Sequence, residues 1–581
     1  MNKEVKKCQN CKKEFIIDPE DFDFYEKMKV PAPSWCPECR ARRRFVWRWE
    51  NALFKRKSDY SGRLIFSGFS SEAPAKVYEN DIYYSDKWDP MEFGQEVDFS
   101  RPFLAQLVDL LHNVPLPAKA AFKEVNSDYC NNTTSAKNCY LVFNTSFVED
   151  SAYSNAINYS HDCVDDSHLQ SCELCYESFW LSKCSRVYFS AQCENSIDIY
   201  FSKNLIGCNN CFGCNNLRNK SYYIWNQPHS KEEYFKKLKG LNLESRKSLD
   251  RLIEDAKAFH LKFPNKYIEG VKNVDVSGAY ISGSKHVRDS YLIKEGENLR
   301  YCQYLAVPPN KDCYDHSVFG NNNELTYECV SCGLGMSNSK FCVMCWPDVR
   351  NLSHSFFCGS SSDLFGCVSL RNKKYCILNK QYTKEEYESL VPKIIDHMSN
   401  MPHVDKKGMV YKYGEFFPAE MSPFAYNETI AQEHWPITKE QAGAEGYVWR
   451  DSEEKNYKIT VVAENIPDNS KDLSENISSE VFECAHKGEC NHQCAGAFRV
   501  IPQELQFYKK MNLPLPHFCP NCRRGERLAQ RHMLKFYHRS CMCDKLNHGH
   551  GDKCPNEFET SYAPDGPEIV YCEQCYQQEV A

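Results

Sequence analysis

The chain has 581 residues, with 71 Lys and Arg against 78 Asp and Glu for a net charge of −7. Bulk charge therefore excludes a strongly basic nucleic-acid binder and leaves any basic site local. No window approaches the ~18 consecutive apolar residues of a membrane helix, and the opening MNKEVKKCQNC has no apolar run to act as a signal peptide, so the cytoplasm is the expected setting.

At roughly 150 residues per domain, the length calls for about three to five folding units. The informative number is 33 cysteines, an odd count that cannot pair completely within one chain. Cys-x2-Cys pairs in a long chain suit metal thiolates in a reducing compartment better than a secreted disulfide scaffold. Zinc is the expected cofactor, at about three ions.

Residues 1–58 read as a zinc ribbon with a basic helix: Cys8-x2-Cys11, an aromatic spacer, then Cys36-Pro-Glu-Cys39. Zinc accepts four thiolates tetrahedrally, and two knuckles across a hairpin-sized spacer supply them with no open position, which is a structural site. Behind the last knuckle, Arg40, Arg44, Arg48 and Arg56 lie on one drifting helical stripe, interleaved with Phe45, Trp47 and Trp49. Such a stripe suits phosphate contacts with base stacking; it would equally neutralise the negative charge of a zinc tetrathiolate. Residues 59–122 read as an aromatic β segment closed by an apolar helix from about Pro102 to His112, capping the first coil.

Residues 123–229 carry a fine period. Every twelfth position from Ser127 is small, sulfur-bearing or apolar: Ser127, Cys139, Ser151, Cys163, Cys175, Val187, Ile199, Cys211, Tyr223. Small interior positions beside Asn/Asp turn positions at fixed pitch predict a stacked parallel β-solenoid, right-handed by the general bias of parallel connections, with coils of 12 or 24 residues. A capping box, Ser230 with Glu233, starts a helical connector over 230–270, expected to run to about Lys262. The second solenoid, 271–382, repeats this grammar with one-residue slips, and FGCNNLRNKSYYIWNQPHSKEEY from Phe212 recurs as FGCVSLRNKKYCILNKQYTKEEY from Phe365. Within it Cys329, Cys332, Cys342 and Cys345 have ribbon spacing, but their places on the solenoid lattice favour core thiols over a metal site. Asp162, Asp165, Asp166 and Asp198 could form a carbohydrate-active face, although Asp is equally expected at turns. A helix opening at Thr383 and a Pro/aromatic extension fill 383–466, and 467–480 reads as a linker.

Residues 481–540 repeat the first ribbon. Cys490, Cys494, Cys519 and Cys522 form the expected metal set, with Cys484 as a possible substitute, and Arg523, Arg527 and Arg531 repeat the basic stripe. Residues 541–581 hold seven candidate ligands, too many for one tetrahedron: Cys541, Cys543, His548, His550, Cys554, Cys572 and Cys575. Cys543, Cys554, Cys572 and Cys575 are the expected set of this treble-clef-like module, with Cys541 or a histidine able to replace Cys543.

The segment CQNCKKEFIIDPEDFDFYEKMKVPAPSWCPECR resembles the zinc-ribbon, treble-clef-type domain of many bacterial proteins. Together with the LRNK…KEEY coil ends and the SYAPDGPEIVYCEQCYQQEV tail, the chain resembles multi-zinc-ribbon β-solenoid proteins of candidate-phyla bacteria. The resemblance implies zinc binding. Ser58 departs from the pattern, standing where the C-terminal copy has Cys541. No GxSxG, GxxxxGK[ST] or HExxH motif occurs. The expectation is a mainly β, two-part parallel solenoid flanked by zinc modules. Its expected role is that of a non-enzymatic binding scaffold whose partner is RNA or single-stranded DNA contacted through Arg40, Arg44, Arg48, Arg523, Arg527 and Arg531. A carbohydrate-active solenoid enzyme and a pure protein-binding scaffold are the alternatives.

Overall fold

The computed structural model describes residues 2–451, 457–473, 476–532 and 534–580. It is mainly β, dominated by two parallel solenoids. The first coils from Ala121–Phe122 to Ser221–Ile224 and the second from Val274–Ser282 to Lys374–Ile377. Register settles the coil length. Cys175 pairs with Val187, Val187 with Ile199 and Ile199 with Cys211, so one coil takes 12 residues. In the second solenoid Cys313 pairs with Thr326 and Leu352 with Leu364, which absorbs the slips as occasional longer coils.

Each 12-residue coil is itself built from triplets. Asp150, Tyr153, Ala156, Tyr159 and Asp162 all have positive φ, and the residue after each, Ser151, Ser154, Ile157, Ser160 and Cys163, is buried. A left-handed residue every third position turns the chain sharply and gives four corners per coil. The interior receives one side chain per side, and only small or slender ones fit. Serine and cysteine fit for a further reason. The backbone N–H of Cys163 donates to Ser151 Oγ at 3.1 Å and that of Cys172 to Ser160 Oγ at 3.0 Å, so the interior polar atoms are satisfied between coils. Outside, Asn126, Asn138 and Asp150 form an amide ladder at 3.1 and 3.0 Å. Each solenoid ends in an antiparallel hairpin and a capping box, Ser230/Glu233 and Thr383/Glu386.

The connector departs from the expected single helix. It is two, Lys231–Gly240 and Arg246–His260, broken at Asn242, whose φ of 50° cannot continue a helix. The segment expected to be a linker is packed: Asp468 accepts from Ser245 Oγ at 2.7 Å and from the Lys247 N–H at 2.9 Å, capping the second connector helix. The apolar helix, Phe103–Asn113, packs against the second solenoid rather than the first coil, with Phe103 edge-on to Phe365 at 5.2 Å.

Three cysteine modules share one plan: a hairpin carrying the first two cysteines, then a helix whose N-terminus carries the last two. The helices are Pro37–Phe45, Pro520–Leu528 and Glu573–Val580. A fourth copy lacks cysteine. Its hairpin Phe54–Lys57/Leu64–Ser67, strand Val77–Tyr78 and short helix Asn80–Tyr83 repeat the order of the C-terminal module, and Ser58 donates to Glu79 where the C-terminal copy sets Cys541 against Cys572. Strand Val77–Tyr78 pairs with Leu116–Pro117, just before the first solenoid, and Val570–Tyr571 pairs with Asn265–Lys266, just before the second.

Docking is crossed. The first module sits on the second solenoid and the second module on the first. Phe24 and Tyr25 pack on Tyr327, at 6.1 and 5.5 Å between ring centroids, as Phe507 and Tyr508 pack on Tyr176, at 5.9 and 5.7 Å.

Candidate metal centre

The hairpins place cysteine thiols at the mouth of each module, and one contact recurs in all three. The backbone N–H of the third cysteine points at the first thiol at 3.2 Å, Cys36 to Cys8, Cys519 to Cys484 and Cys572 to Cys541. This aligns Cys8, Cys484 and Cys541 as equivalents. Four thiols then gather in each module: Cys8, Cys11, Cys36 and Cys39; Cys484, Cys494, Cys519 and Cys522; Cys541, Cys554, Cys572 and Cys575. Sulfur separations of 3.7 Å for Cys11 and Cys36, 3.8 Å for Cys484 and Cys522, and 3.8 Å for Cys554 and Cys572 match the ~3.8 Å edge of a tetrahedron with metal–sulfur bonds of ~2.3 Å. All 33 cysteines are free thiols. Each set could hold a metal ion.

Two expectations need correction. Cys484, not Cys490, completes the second four-thiol set, and Cys541, not Cys543, completes the third. Spacing misled because a loop is inserted between the first two cysteines of these modules, where the first module has only Gln9 and Asn10. Cys490 and Cys543 lie on those loops. They gather with histidines instead, as His486, Cys490, His492 and Cys522, and as Cys543, His548, His550 and Cys575. His486 and His492 escaped the sequence reading; the run Cys-x-His-x3-Cys-x-His-x-Cys would have shown them.

Cys329, Cys332, Cys342 and Cys345 are not among the gathered groups of the described residues. They line the coil interior, with Cys329 in register with Cys342. Burial pushes the interior thiols of Cys139 and Cys193 up, to about 11 and about 12. At Cys572 burial also raises the thiol, but an Asn556 amide N–H at 3.3 Å and neighbouring cysteines outweigh it and bring it down to about 7.

The arginine stripes face inward. Arg40 and Arg44 both bond Asp315, at 2.8 and 2.9 Å, and Arg44 also reaches Glu328 at 2.9 Å. Arg43 joins Glu328 to Glu415 at 2.8 and 2.9 Å. In the second module Arg523 and Arg527 both bond Asp165, at 2.7 and 3.0 Å, and Arg527 reaches Glu177 at 3.1 Å. Asp165 and Glu177 are left-handed corner residues one coil apart, as are Asp315 and Glu328. The same corner column starts with an aromatic, Tyr153 under Arg523 and Tyr301 under Arg40. Arg48 bonds Glu50, Asn132 and Ser331, and Arg531 bonds Glu433 and Tyr304. Phe45, Trp47 and Trp49 are fully buried. Arg40, Arg44, Arg48, Arg523, Arg527 and Arg531, expected to meet phosphates and bases, are thus engaged with acidic groups of the chain itself. A helical spacing marks one face without saying whether it meets solvent or protein, and here it meets acidic corners of the solenoids.

The four aspartates considered for a carbohydrate site do not gather. Asp162 and Asp198 share a corner column but lie three coils apart, with Asp198 clamped by Arg186, while Asp165 is held by arginines on another corner and Asp166 lies inside the coil accepting from the Ser178 N–H at 2.8 Å. A cavity of about 250 Å³ lies between the solenoids, bordered by Asn144, His168, Tyr304, Trp346 and His434. Burial, aided by Arg531 and Arg524, holds the His168 imidazole down to about 3, so it is neutral there.

No described helix is long and apolar enough to cross a membrane. No family model and no curated protein matches the chain. Among solved structures, a "putative acetyltransferase" from Desulfovibrio desulfuricans G20 aligns at 8% identity over 50% of this chain and 77% of its own, with a TM-score of 0.11, a likeness too slight to carry an argument.

Proposed function

We propose that the protein is a zinc-loaded, non-enzymatic scaffold of the cytoplasm, in which the cysteine modules clamp two solenoids into one body whose outer coil faces bind a protein partner. The observation that carries this reading is the pairing of closed, largely buried four-thiol sets with arginine helices that plug into the solenoids. A four-thiolate zinc has no open position for substrate or water, which favours structure over catalysis. With the arginines engaged internally, a protein partner is favoured over nucleic acid. An exposed aromatic pair on adjacent corners, Phe147 stacked on Tyr159 at 5.0 Å, offers apolar contact area on the outer face. Free cysteines throughout suit a reducing compartment.

The test combines elemental analysis with a salt titration of single-stranded RNA and DNA binding. At least three zinc ions per chain and no salt-sensitive binding are expected. Salt-sensitive binding that Arg523→Glu abolishes without altering metal content or exchange protection would sink the protein-partner reading. The cavity between the solenoids favours a second, ligand-binding reading; a thermal-shift panel of small polar aromatics and sugars with no hit would remove it.

A further inference from the structure

Two tetrahedra that share one corner need seven donors. The second module supplies seven in two groups of four that share Cys522, and the third supplies seven in two groups that share Cys575. We propose that each of these modules holds a pair of divalent ions of the zinc class bridged by that shared thiolate, so that the chain binds five ions rather than three. The inference rests on the metal-scaffold reading and extends it.

Composition supports the pairing. Each loop adds one cysteine and two histidines, in the order His486, Cys490, His492 in one module and Cys543, His548, His550 in the other. Different orders arriving at one ligand set point to a shared requirement, because a borderline ion takes thiolate and imidazole together. Five thiolates against two such ions also leave one negative charge where a lone tetrathiolate site leaves two.

Geometry supports it from both sides of the bridge. Cys522 Sγ lies 3.8 Å from Cys484 and 3.5 Å from Cys519 in one group, and 3.5 Å from Cys490 in the other. In the third module Cys543 Sγ and His548 Nδ1 approach to 3.1 Å. The imidazoles are set as ligands. His486 Nδ1, His492 Nδ1 and His550 Nε2 are buried with no hydrogen-bond partner. His550 donates from Nδ1 to the Gly551 carbonyl at 2.8 Å, which fixes the tautomer that leaves Nε2 a bare lone pair, and His548 Nε2 faces Glu579 at 3.6 Å. The first module provides the contrast. It lacks the loop, and there Asn10 donates its amide N–H to Cys39 Sγ at 3.3 Å, on the thiol equivalent to Cys522 and Cys575.

The test uses the full chain purified with Zn2+ as the added metal. Five ions per chain are expected by elemental analysis. Replacing His486→Gln with His492→Gln removes one, and replacing His548→Gln with His550→Gln removes another. Amide exchange of the hairpins Phe482–Glu483/Ala497–Phe498 and Tyr537–Ser540/Glu557–Thr560 reports whether each module stays folded. A second measurement does not depend on variants. In the Co2+-loaded wild type, a bridging thiolate couples neighbouring ions, so the magnetic moment per cobalt falls below that of isolated sites. Three ions per chain, an unchanged metal content in both histidine pairs, or uncoupled cobalt would overturn the bridged pairs and leave the four-thiolate scaffold standing. Fewer than three ions would overturn both.

Discussion

Replacing Arg44 by Met isolates the role of the arginine helices. Arg44 is fully buried and bonds two acids that are themselves fully buried, Asp315 and Glu328, each at 2.9 Å, with Ser317 as a third partner at 3.0 Å. Methionine keeps most of the packing volume, so the change falls on charge. Removing one member of a buried ion pair costs about 3–5 kcal/mol because the partner is left uncompensated. Here Asp315 keeps Arg40 and Glu328 keeps Arg43, which places the loss near the lower figure, about 3 kcal/mol. At about 1.4 kcal/mol per decade, that is a rise of roughly 100- to 200-fold in the exchange of amides protected by docking. The assay is native-state hydrogen exchange on the helix Pro37–Phe45 and the strand Asn310–Gly320. Adding Glu328→Gln to Arg44→Met should recover part of the loss, since Arg40 then keeps Asp315, Arg43 keeps Glu415, and a neutral amide needs no counter-charge. Arg63→Met, at the exposed pair with Asp81, should leave exchange unchanged. Wild-type exchange in Arg44→Met, together with loss of a salt-sensitive nucleic-acid affinity, would falsify the docking account.

A strong chelator should strip protection from the three cysteine modules while the parallel β signal of the solenoids persists, as followed by exchange and far-ultraviolet circular dichroism. Interior thiols should resist alkylation in the native state and react on denaturation; rapid native labelling of Cys163 or Cys211 would contradict their burial. Those thiols also set an alkaline limit. Cys130, Cys193 and Cys313 are pushed up to about 12 by burial. Their contribution is complete below the unfolded thiol value near 8.5 and is lost as pH rises through about 12, so the solenoid midpoint should be level from about pH 7 to 8.5 and fall steadily above pH ~9. Asn138→Val places a β-branched residue at φ 52° and breaks the ladder to Asn126 and Asp150, which should cost about 2 kcal/mol in a urea titration.

The solenoids were legible in the sequence at one level and hidden at another. The 12-residue column of Ser127, Cys139, Ser151 and Cys163 shows because interior space is scarce enough to restrict residue type. The triplet beneath it does not show. Its left-handed corners hold Tyr153, Ala156, Leu174 and Trp180, residues with no local preference for that conformation, and the parallel bonds between coils hold them there. Duplication exposed the module boundaries, yet the metal sets hung on which cysteine begins each hairpin, and that is fixed by strand pairing such as Phe482 with Phe498 rather than by spacing. The arginine stripe is the clearest limit. Its periodicity marks a face, but the acids that claim it, Asp315 for Arg40 and Asp165 for Arg527, lie hundreds of residues away.

Crossed docking has a consequence for the order in which a growing chain can assemble. Arg40 and Arg44 leave the ribosome long before Asp315 and Glu328 exist, while Asp165 and Glu177, the equivalent corner of the nearer solenoid, appear much earlier. Every nascent chain therefore passes through an interval in which the first key can enter only the lock meant for the second. The two interfaces share Arg pairs, acidic corners and Tyr platforms, so rejecting that early match falls to the contacts that are not shared. Arg43 with Glu415 exists only on the later side, and Glu504 beside Arg523 only on the other. Translation speed across residues 230–330 thus becomes a variable of the fold, since a pause there would lengthen that interval.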